Sequence, residues 1–234
     1  MAKRVVIVRH GDDPPDDRTY IYLHQAGFIP DVRRPFRGDT LGDVDDDVAG
    51  TIIHGGPFNA FAFEEHPFLR DEDRWIGACL KADVPLLGIC QGAQQLAQHL
   101  GAWVGPHENA TMEFGYYEVE PTVAGRDFLP QTLHMTQAHF HTFDIPEDAV
   151  HLASSEAFEN QAFRYGEKAY AVQFHPEVTI EGFRRWQKTD RFWNGMPGVQ
   201  TLEDQTRLGL QHDAAQADWF YSFLGQLFGT TERA

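Results

Sequence analysis

The stretch PLLGICQGAQQLA, residues 85–97, has a cysteine between two glycines where a buried strand is expected to turn into a helix. Apolar residues run up to Cys90, and after it they recur every three or four positions, as in a helix. Gly88 and Gly92 permit a sharp turn and close backbone packing. A cysteine at such a turn is presented at the edge of the sheet, where it can react. The alternative for Cys90 is a small core residue, because most free cysteines pack.

The same alternation of strand and helix covers the first hundred residues. Strands are predicted over 3–10, 31–39, 48–53 and 85–89, and helices over 17–27, 66–82 and 91–101. This order predicts an α/β fold with a mostly parallel open sheet and helices on both of its faces. The strand over 31–39 is expected near a sheet edge, because Pro35 cannot donate a ladder hydrogen bond. Cys79 shares the apolar face of the helix over 66–82 with Leu69 and Ile76, so it is predicted to be a core residue.

From about residue 113 the pattern changes to short β-rich segments, which predict a smaller, antiparallel β portion in the C-terminal half. A helix is expected near 177–187. A second, amphipathic helix is expected over 213–229 and should dock on the body of the protein. Because the sequence shows no internal repeat and no interdomain linker, residues 1–234 are expected to form a single domain.

The composition limits the classes of partner. Hydrophobic residues make up 42% of the chain, which is typical of a globular protein. The formal net charge of −16 argues against nucleic acid and against anionic membranes as partners. Two cysteines do not make a disulfide framework, and MAKRVVIVRH at the N-terminus lacks the pattern of a signal peptide. We therefore expect a cytoplasmic protein with reduced thiols.

A reactive Cys90 needs a base, and His175 in YAVQFHPEV is the best candidate. It follows an apolar strand, so it is expected at the carboxyl edge of the sheet, where sites gather. Glu177 lies two residues later and can orient the imidazole. The glycines of TIIHGGPF let the backbone approach a ligand, so the N–H groups of Gly56 and Gln91 are candidates for an oxyanion hole.

Together, GGP at 55–57, G-x-C-x-G-x-Q at 88–94 and Q-F-H-P-E at 173–177 resemble the class I glutamine amidotransferases. The resemblance implies a flavodoxin-like sheet and a Cys-His-Glu enzyme that hydrolyses the side-chain amide of glutamine, without metal or cofactor. It implies that Cys90 is the nucleophile, His175 the general base and acid, and Glu177 the orienter. It also implies an oxyanion hole of Gly56 and Gln91, and substrate contacts from Gly55, Gln94, His139 and His141.

Two departures from the family pattern leave the substrate open. Relatives usually have H-x-D where this chain has His139-Phe140-His141, so the preference for free glutamine is in question. We also expect no synthetase domain within these 234 residues. The expected activity is hydrolysis of a small γ-glutamyl substrate, either glutamine or a γ-glutamyl amine or peptide. The alternatives are a glutaminase subunit that delivers ammonia to a separate synthetase, and a catalytically silent regulatory homologue.

Three other features allow different interpretations. IVRHGD at 7–12 resembles the R-H-G motif of histidine phosphatases, in which His10 would be the nucleophile. His139 and His141, with His134 nearby, could bind a metal, although no cysteine or carboxylate pair completes a recognised pattern. Glu113 could face the site or lie on the surface of its strand.

Overall fold

The computed structural model describes residues 3–189 and 193–230. Within these ranges the strands are β1 (Arg4–Val8), β2 (Ile29–Arg33), β3 (Val48–Ile53), β4 (Leu86–Ile89), β5 (Val104–Pro106), β6 (Glu113–Pro121), β7 (Leu133–His139), β8 (His141–Phe143), β9 (Ala149–Ser154), β10 (Ala162–Tyr165) and β11 (Ala169–Val172). The helices are α1 (Arg18–Gln25), α2 (Phe68–Lys81), α3 (Gln91–His99), α4 (Ile180–Thr189) and α5 (Leu202–Phe228). The single domain over 1–234 stays a prediction, since residues 1–2, 190–192 and 231–234 lie outside the described ones.

One nine-stranded mixed sheet organises the chain, with the order β2-β1-β3-β4-β11-β10-β9-β6-β7. The first five strands in this order pair in parallel. The other four continue the sheet as antiparallel neighbours. The predicted α/β class is therefore confirmed, and the antiparallel portion extends the same sheet. β5 and β8, which the sequence did not predict, pair as a separate two-stranded ribbon.

Each face of the parallel half is covered by its own pair of helices, as predicted. Side chains alternate between the two faces of a strand. Val5 packs in a cluster with side chains of α1 and α5, whereas its neighbour Val6 packs with side chains of α2 and α3. Cys79 is fully buried in the second cluster, so its prediction as a core residue is confirmed.

Two glycines let α3 pack very close to the sheet. A Cβ atom on Gly92 would lie 2.1 Å from the carbonyl oxygen of Ile53, and one on Gly88 would lie 2.5 Å from that of Gly92. Both neighbours are backbone atoms, so side-chain rotation could not relieve the clash. The start of α3, with Cys90 as its N-cap residue, is therefore held directly over the ends of β3 and β4.

The predicted strand over 31–39 was wrong in its boundaries. β2 spans Ile29–Arg33, and Pro35 begins a short 3₁₀ helix, Pro35–Arg37, in which its fixed φ angle suits the first position. The expected edge location is confirmed, because β2 is the outermost strand on its side.

The C-terminal helix is longer than predicted. α5 begins at Leu202 because the Thr201 side chain caps it by accepting a hydrogen bond from the Asp204 N–H. The buried residues in its first half are Gln205 and Gly209. Because neither is an apolar side chain, the sequence there lacks the apolar periodicity that predicts a helix. Among the helices of residues 3–189 and 193–230, none has the length and apolar character needed to cross a bilayer.

Gly92→Ala should lower the free energy of unfolding by about 1–3 kcal/mol, the usual cost of overpacking, because the added methyl group would collide with the Ile53 carbonyl. Urea unfolding at equilibrium measures this change. Gly225→Ala is the matched control, because it is also helical and the nearest atom to its Cβ, the Tyr22 hydroxyl oxygen, would lie 3.9 Å away. Alanine there should stabilise by up to ~1 kcal/mol. Equal losses in both variants would contradict the close contact.

Candidate active site

Cys90 occupies the turn between β4 and α3 in a strained backbone conformation. Its φ of 51° and ψ of −108° lie outside the regions that non-glycine residues commonly adopt. Its N–H donates to the Val172 carbonyl at 2.8 Å, and its own carbonyl accepts from the Gln94 N–H at 3.0 Å. The residue stands at the N-terminus of a helix, where the helix dipole favours a thiolate. This is the backbone geometry that a nucleophile turn requires.

His175 reaches the same edge of the sheet as Cys90, because it follows β11 and β11 pairs with β4. Its Nδ1 lies 2.8 Å from Oε1 of Glu177, and the side chains are 5% and 4% exposed. The His175 N–H donates to the Thr136 carbonyl at 2.7 Å, which fixes the backbone at this point. The Trp186 ring meets the imidazole edge-on, with 4.9 Å between ring centroids.

The charges around His175 favour its protonated form. Burial by itself lowers the pKa of His175, but the Glu177 carboxylate and the Cys90 thiolate outweigh burial and raise that pKa to about 10. Burial raises the pKa of Glu177, but the imidazolium beside it outweighs that effect, and the pKa is lowered. The Glu177 carboxylate and the His175 imidazolium therefore form a buried charged pair beside Cys90.

Gly55 lies between Cys90 and His175. A Cβ atom on Gly55 would be 2.6 Å from Cε1 of His175 and 3.2 Å from Cβ of Cys90. The structure thus brings the two predicted catalytic side chains together across the Gly55 backbone, which has to be free of a side chain.

The two candidate oxyanion donors lie on segments that are tied to each other. Gln91 is the first residue of α3, so its N–H has no carbonyl partner within the helix. Its side-chain Oε1 accepts from the Phe58 N–H at 3.1 Å and anchors the loop that carries Gly56. Gly56 and Gln91 both line the cleft beside Cys90.

Gln94, His139 and His141 also line this cleft. The Gln94 amide donates to Oε1 of Gln173 at 3.1 Å. His139 Nδ1 donates to the His141 carbonyl at 3.0 Å, and its Nε2 lies 2.9 Å from Glu113. Glu113 is 1% exposed, so the surface alternative for it was wrong; its carboxylate lies against the buried ring of His139.

The cleft has a volume of about 400 Å³, which suits a small molecule. Beyond Cys90 it extends to residues 11–17 and to α4. There Arg185 donates two hydrogen bonds to the Asp16 carboxylate, at 2.7 and 2.8 Å.

Comparison with known proteins identifies the family. The family model "Glutamine amidotransferase class-I" matches residues 31–188, more than half of the chain. The chain belongs to the class-I glutamine amidotransferase family. The matched range of this amidotransferase runs from β2 to α4 and includes Cys90, His175 and Glu177.

Individual relatives agree with this assignment. The glutamine amidotransferase-like protein YfeJ of Salmonella typhimurium is 31% identical over 170 residues, which cover 68% of this chain and 70% of YfeJ. A glutamine-hydrolyzing GMP synthase subunit of Methanococcoides burtonii is 30% identical, over 58% of this chain and 67% of that protein. The chain spans about a quarter of the longer GMP synthases that it matches. A crystal structure of a glutamine amidotransferase from Thermotoga maritima superposes with a TM-score of 0.86 at 27% identity, covering 98% of this chain and 100% of that one.

The structure contradicts the phosphatase interpretation of IVRHGD. The His10 side chain is fully buried, and both ring nitrogens have partners, so it is not available as an exposed nucleophile. His134 stacks on His212, with 3.8 Å between ring centroids, away from the amidotransferase cleft. Among the described residues, no three His, Cys, Asp or Glu side chains are grouped to hold a metal ion.

Sequence reasoning missed two buried groups beside the site, His54 and Glu72. His54 directly precedes Gly55, and burial, with Arg9 nearby, lowers its pKa to about 3. Glu72 is fully buried on α2. The burial of Glu72 could have been predicted from the sequence, because it lies three residues after Leu69, on the apolar face of the predicted helix.

Gly55→Ala should reduce kcat by about 10²-fold, because the new methyl group would displace the His175 imidazole, and small misplacements are costly in catalysis. Steady-state assay of amide hydrolysis measures the change. Thermal unfolding is the check on folding, and Gly225→Ala, where the nearest atom would be 3.9 Å from the added carbon and which lies outside the cleft, is the control. Wild-type kcat in Gly55→Ala would contradict the contact.

Acidification should destabilise this amidotransferase through His54. Its folded-state pKa of about 3 lies below the ordinary 6.5, so the unfolded state binds the proton first. The contribution is complete above pH 6.5 and is lost as the pH falls toward 3, which costs about 2 kcal/mol between pH 7 and pH 5. Denaturant unfolding at both pH values should show a smaller loss for His54→Gln than for wild type. Equal losses would refute the assignment to His54.

Proposed function

We propose that this amidotransferase hydrolyses the γ-glutamyl amide bond of glutamine, or of a γ-glutamyl amine or peptide, through a thioester on Cys90. The observation that carries the proposal is the chain of three groups at the sheet edge. Glu177 holds the His175 imidazole at 2.8 Å, and the imidazole meets Cys90 across Gly55. A nucleophile, a base and an orienting carboxylate in this order are the parts that acyl transfer needs.

The first step is attack of the Cys90 thiolate on the amide carbonyl carbon. The carbonyl oxygen becomes an oxyanion, and the backbone N–H groups of Gly56 and Gln91 donate to it. Fixed donors at this point stabilise the developing charge without reorganisation, which is the largest single contribution in many such enzymes. Gln94, His139 and His141 contact the glutamyl part of the substrate.

His175 then moves the proton. As imidazolium it protonates the leaving amine, the carbon–nitrogen bond breaks and the γ-glutamyl thioester forms. The neutral imidazole next takes a proton from water, which attacks the thioester and releases glutamate and the Cys90 thiolate. Glu177 remains ionised and keeps Nδ1–H of His175 directed toward itself, which aims Nε2 at the reacting atoms.

A second candidate function is that of a glutaminase subunit that passes ammonia to a separate synthetase. The similarity to the GMP synthase subunit of Methanococcoides burtonii supports it. The chemistry on Cys90 is the same in both cases. The two candidate functions differ in whether the chain hydrolyses its substrate alone or needs a partner protein.

Glutamate release should be detected by mass spectrometry when purified protein is given glutamine and a panel of γ-glutamyl amines and peptides. Cys90→Ala should abolish it. Cys79→Ala is the matched control, because Cys79 is buried in the core and burial raises its pKa to about 11, so it is no nucleophile. That variant should retain activity.

Labelling of Cys90 by a glutamine-mimicking electrophile separates the candidates. Turnover by the isolated chain supports the hydrolase. No turnover together with labelled Cys90 supports the subunit that needs a synthetase. If wild type neither turns over nor is labelled, the proposal is wrong and the chain is a silent homologue.

A further inference from the structure

Two fully buried side chains beside the loop of residues 54–58 take no part in the proposed mechanism. His10 follows β1, and Glu72 lies on α2. Both side chains are 0% exposed, and Nε2 of His10 lies 2.9 Å from Oε2 of Glu72. Buried polar groups need hydrogen-bond partners, so the contacts of this pair show which parts of the chain it joins.

The other ring nitrogen of His10 forms a hydrogen bond with the backbone of the loop of residues 54–58. Nδ1 lies 3.0 Å from the carbonyl oxygen of His54. A carbonyl oxygen only accepts, so Nδ1 carries the hydrogen and donates it. The carbonyl belongs to the peptide that joins His54 to Gly55. The bond therefore sets the plane of this peptide, directly before the candidate oxyanion donor Gly56.

The side chains of His10 and Gln91 pack against the loop at Gly56. A Cβ atom on Gly56 would lie 2.2 Å from Cβ of His10 and 2.8 Å from Oε1 of Gln91. The same Oε1 accepts from the Phe58 N–H at 3.1 Å, two residues further along. Hydrogen bonds thus hold the loop just before and just after Gly56, and His10 and Gln91 leave no space for a side chain there.

Glu72 connects His10 to α3, the helix that begins directly after Cys90. Its Oε2 also accepts from Nε2 of Gln95, on α3, at 2.5 Å. One carboxylate oxygen therefore joins β1, through His10, to the helix that begins after Cys90. The two candidate oxyanion donors, Gly56 and Gln91, are positioned relative to each other through this connection.

We propose that His10, oriented by Glu72, is a positioning residue that fixes the Gly56 N–H as an oxyanion donor. This inference rests on the proposed function. An oxyanion donor is effective only when it is held in place before the reaction, and the loss of one donor typically costs 10²–10³-fold in kcat. His10 touches no reacting atom and acts only through the loop.

Two substitutions of His10 separate its two hydrogen bonds. In His10→Gln the side-chain amide can reach the position of Nε2 and keep the contact with Glu72, but the bond to the His54 carbonyl is lost. In His10→Asn the amide can reach the position of Nδ1 and keep the bond to that carbonyl, but the contact with Glu72 is lost. The proposal requires the first variant to be impaired more than the second.

The readout compares two reagents that label Cys90. A chloroketone analogue of glutamine places a carbonyl in the oxyanion hole, whereas iodoacetamide alkylates the thiolate without forming an oxyanion. His10→Gln should lower kcat and the chloroketone rate by about 10²-fold and leave the iodoacetamide rate within about twofold of wild type. His10→Asn should recover at least about tenfold of the loss. The chloroketone rate tests the proposal even if turnover requires a partner.

Asp73→Asn is the matched control. Asp73 is the neighbour of Glu72 on α2, and its Oδ1 lies 2.8 Å from Nδ1 of His99 on α3, so it makes a similar contact between the same helices. This contact is partly exposed and lies away from the loop. Asp73→Asn should change neither labelling rate by more than about twofold.

Thermal unfolding shows whether each variant is folded. If His10→Gln does not fold, the double variant His10→Phe, Glu72→Leu replaces it, because removing both partners of this contact together leaves neither of them buried and unpaired. It should show the same selective loss of the chloroketone rate. Unchanged rates, or equal losses with both reagents, would overturn the inference. A wild-type protein that neither reagent labels and that releases no glutamate would instead overturn the proposed function.

Discussion

The close contact between α3 and the parallel sheet is the constraint on which the site depends. Gly92 brings the helix so near to the Ile53 carbonyl that no side chain fits between them. With the helix held there, the chain between β4 and α3 has to turn within one residue. Cys90 takes that position with a φ of 51°. The strain at this residue is thus a consequence of how the helix packs, and packing of the surrounding core maintains it.

The pKa values of two buried histidines, His175 and His54, differ because the two rings have different neighbours. His175 and His54 both lie in the wall of one cleft and are both buried. His175 faces the carboxylate of Glu177 and the thiolate of Cys90, which raise its pKa. The pKa of His54 is lowered, mainly by burial and also by the nearby Arg9 guanidinium. His175 is therefore protonated at neutral pH, whereas His54 is neutral.

The extension of the sheet by antiparallel strands completes the cleft. β11 places His175 next to β4 through parallel pairing. The end of β7 and the start of β8 then place His139 and His141 in the wall of the cleft. A purely parallel sheet would leave this wall to loops. Here the corner between two strands is held by the His139 bond to the His141 carbonyl and by the contact of His139 with Glu113, which fixes the shape of this part of the cleft.

The sequence by itself determined the class of the fold, the parallel half of the sheet and the three motifs that meet at its edge. It did so because apolar periodicity, glycine at sharp turns and the short spacing from His175 to Glu177 are local properties of the chain. It determined neither the start of α5, which depends on a cap and on buried polar residues, nor the connection of His10 to Glu72. Residues 62 positions apart come together only when β1 and α2 pack in three dimensions. Tertiary structure alone decided which buried polar groups share a hydrogen bond, because that depends on distances between elements that no local pattern records.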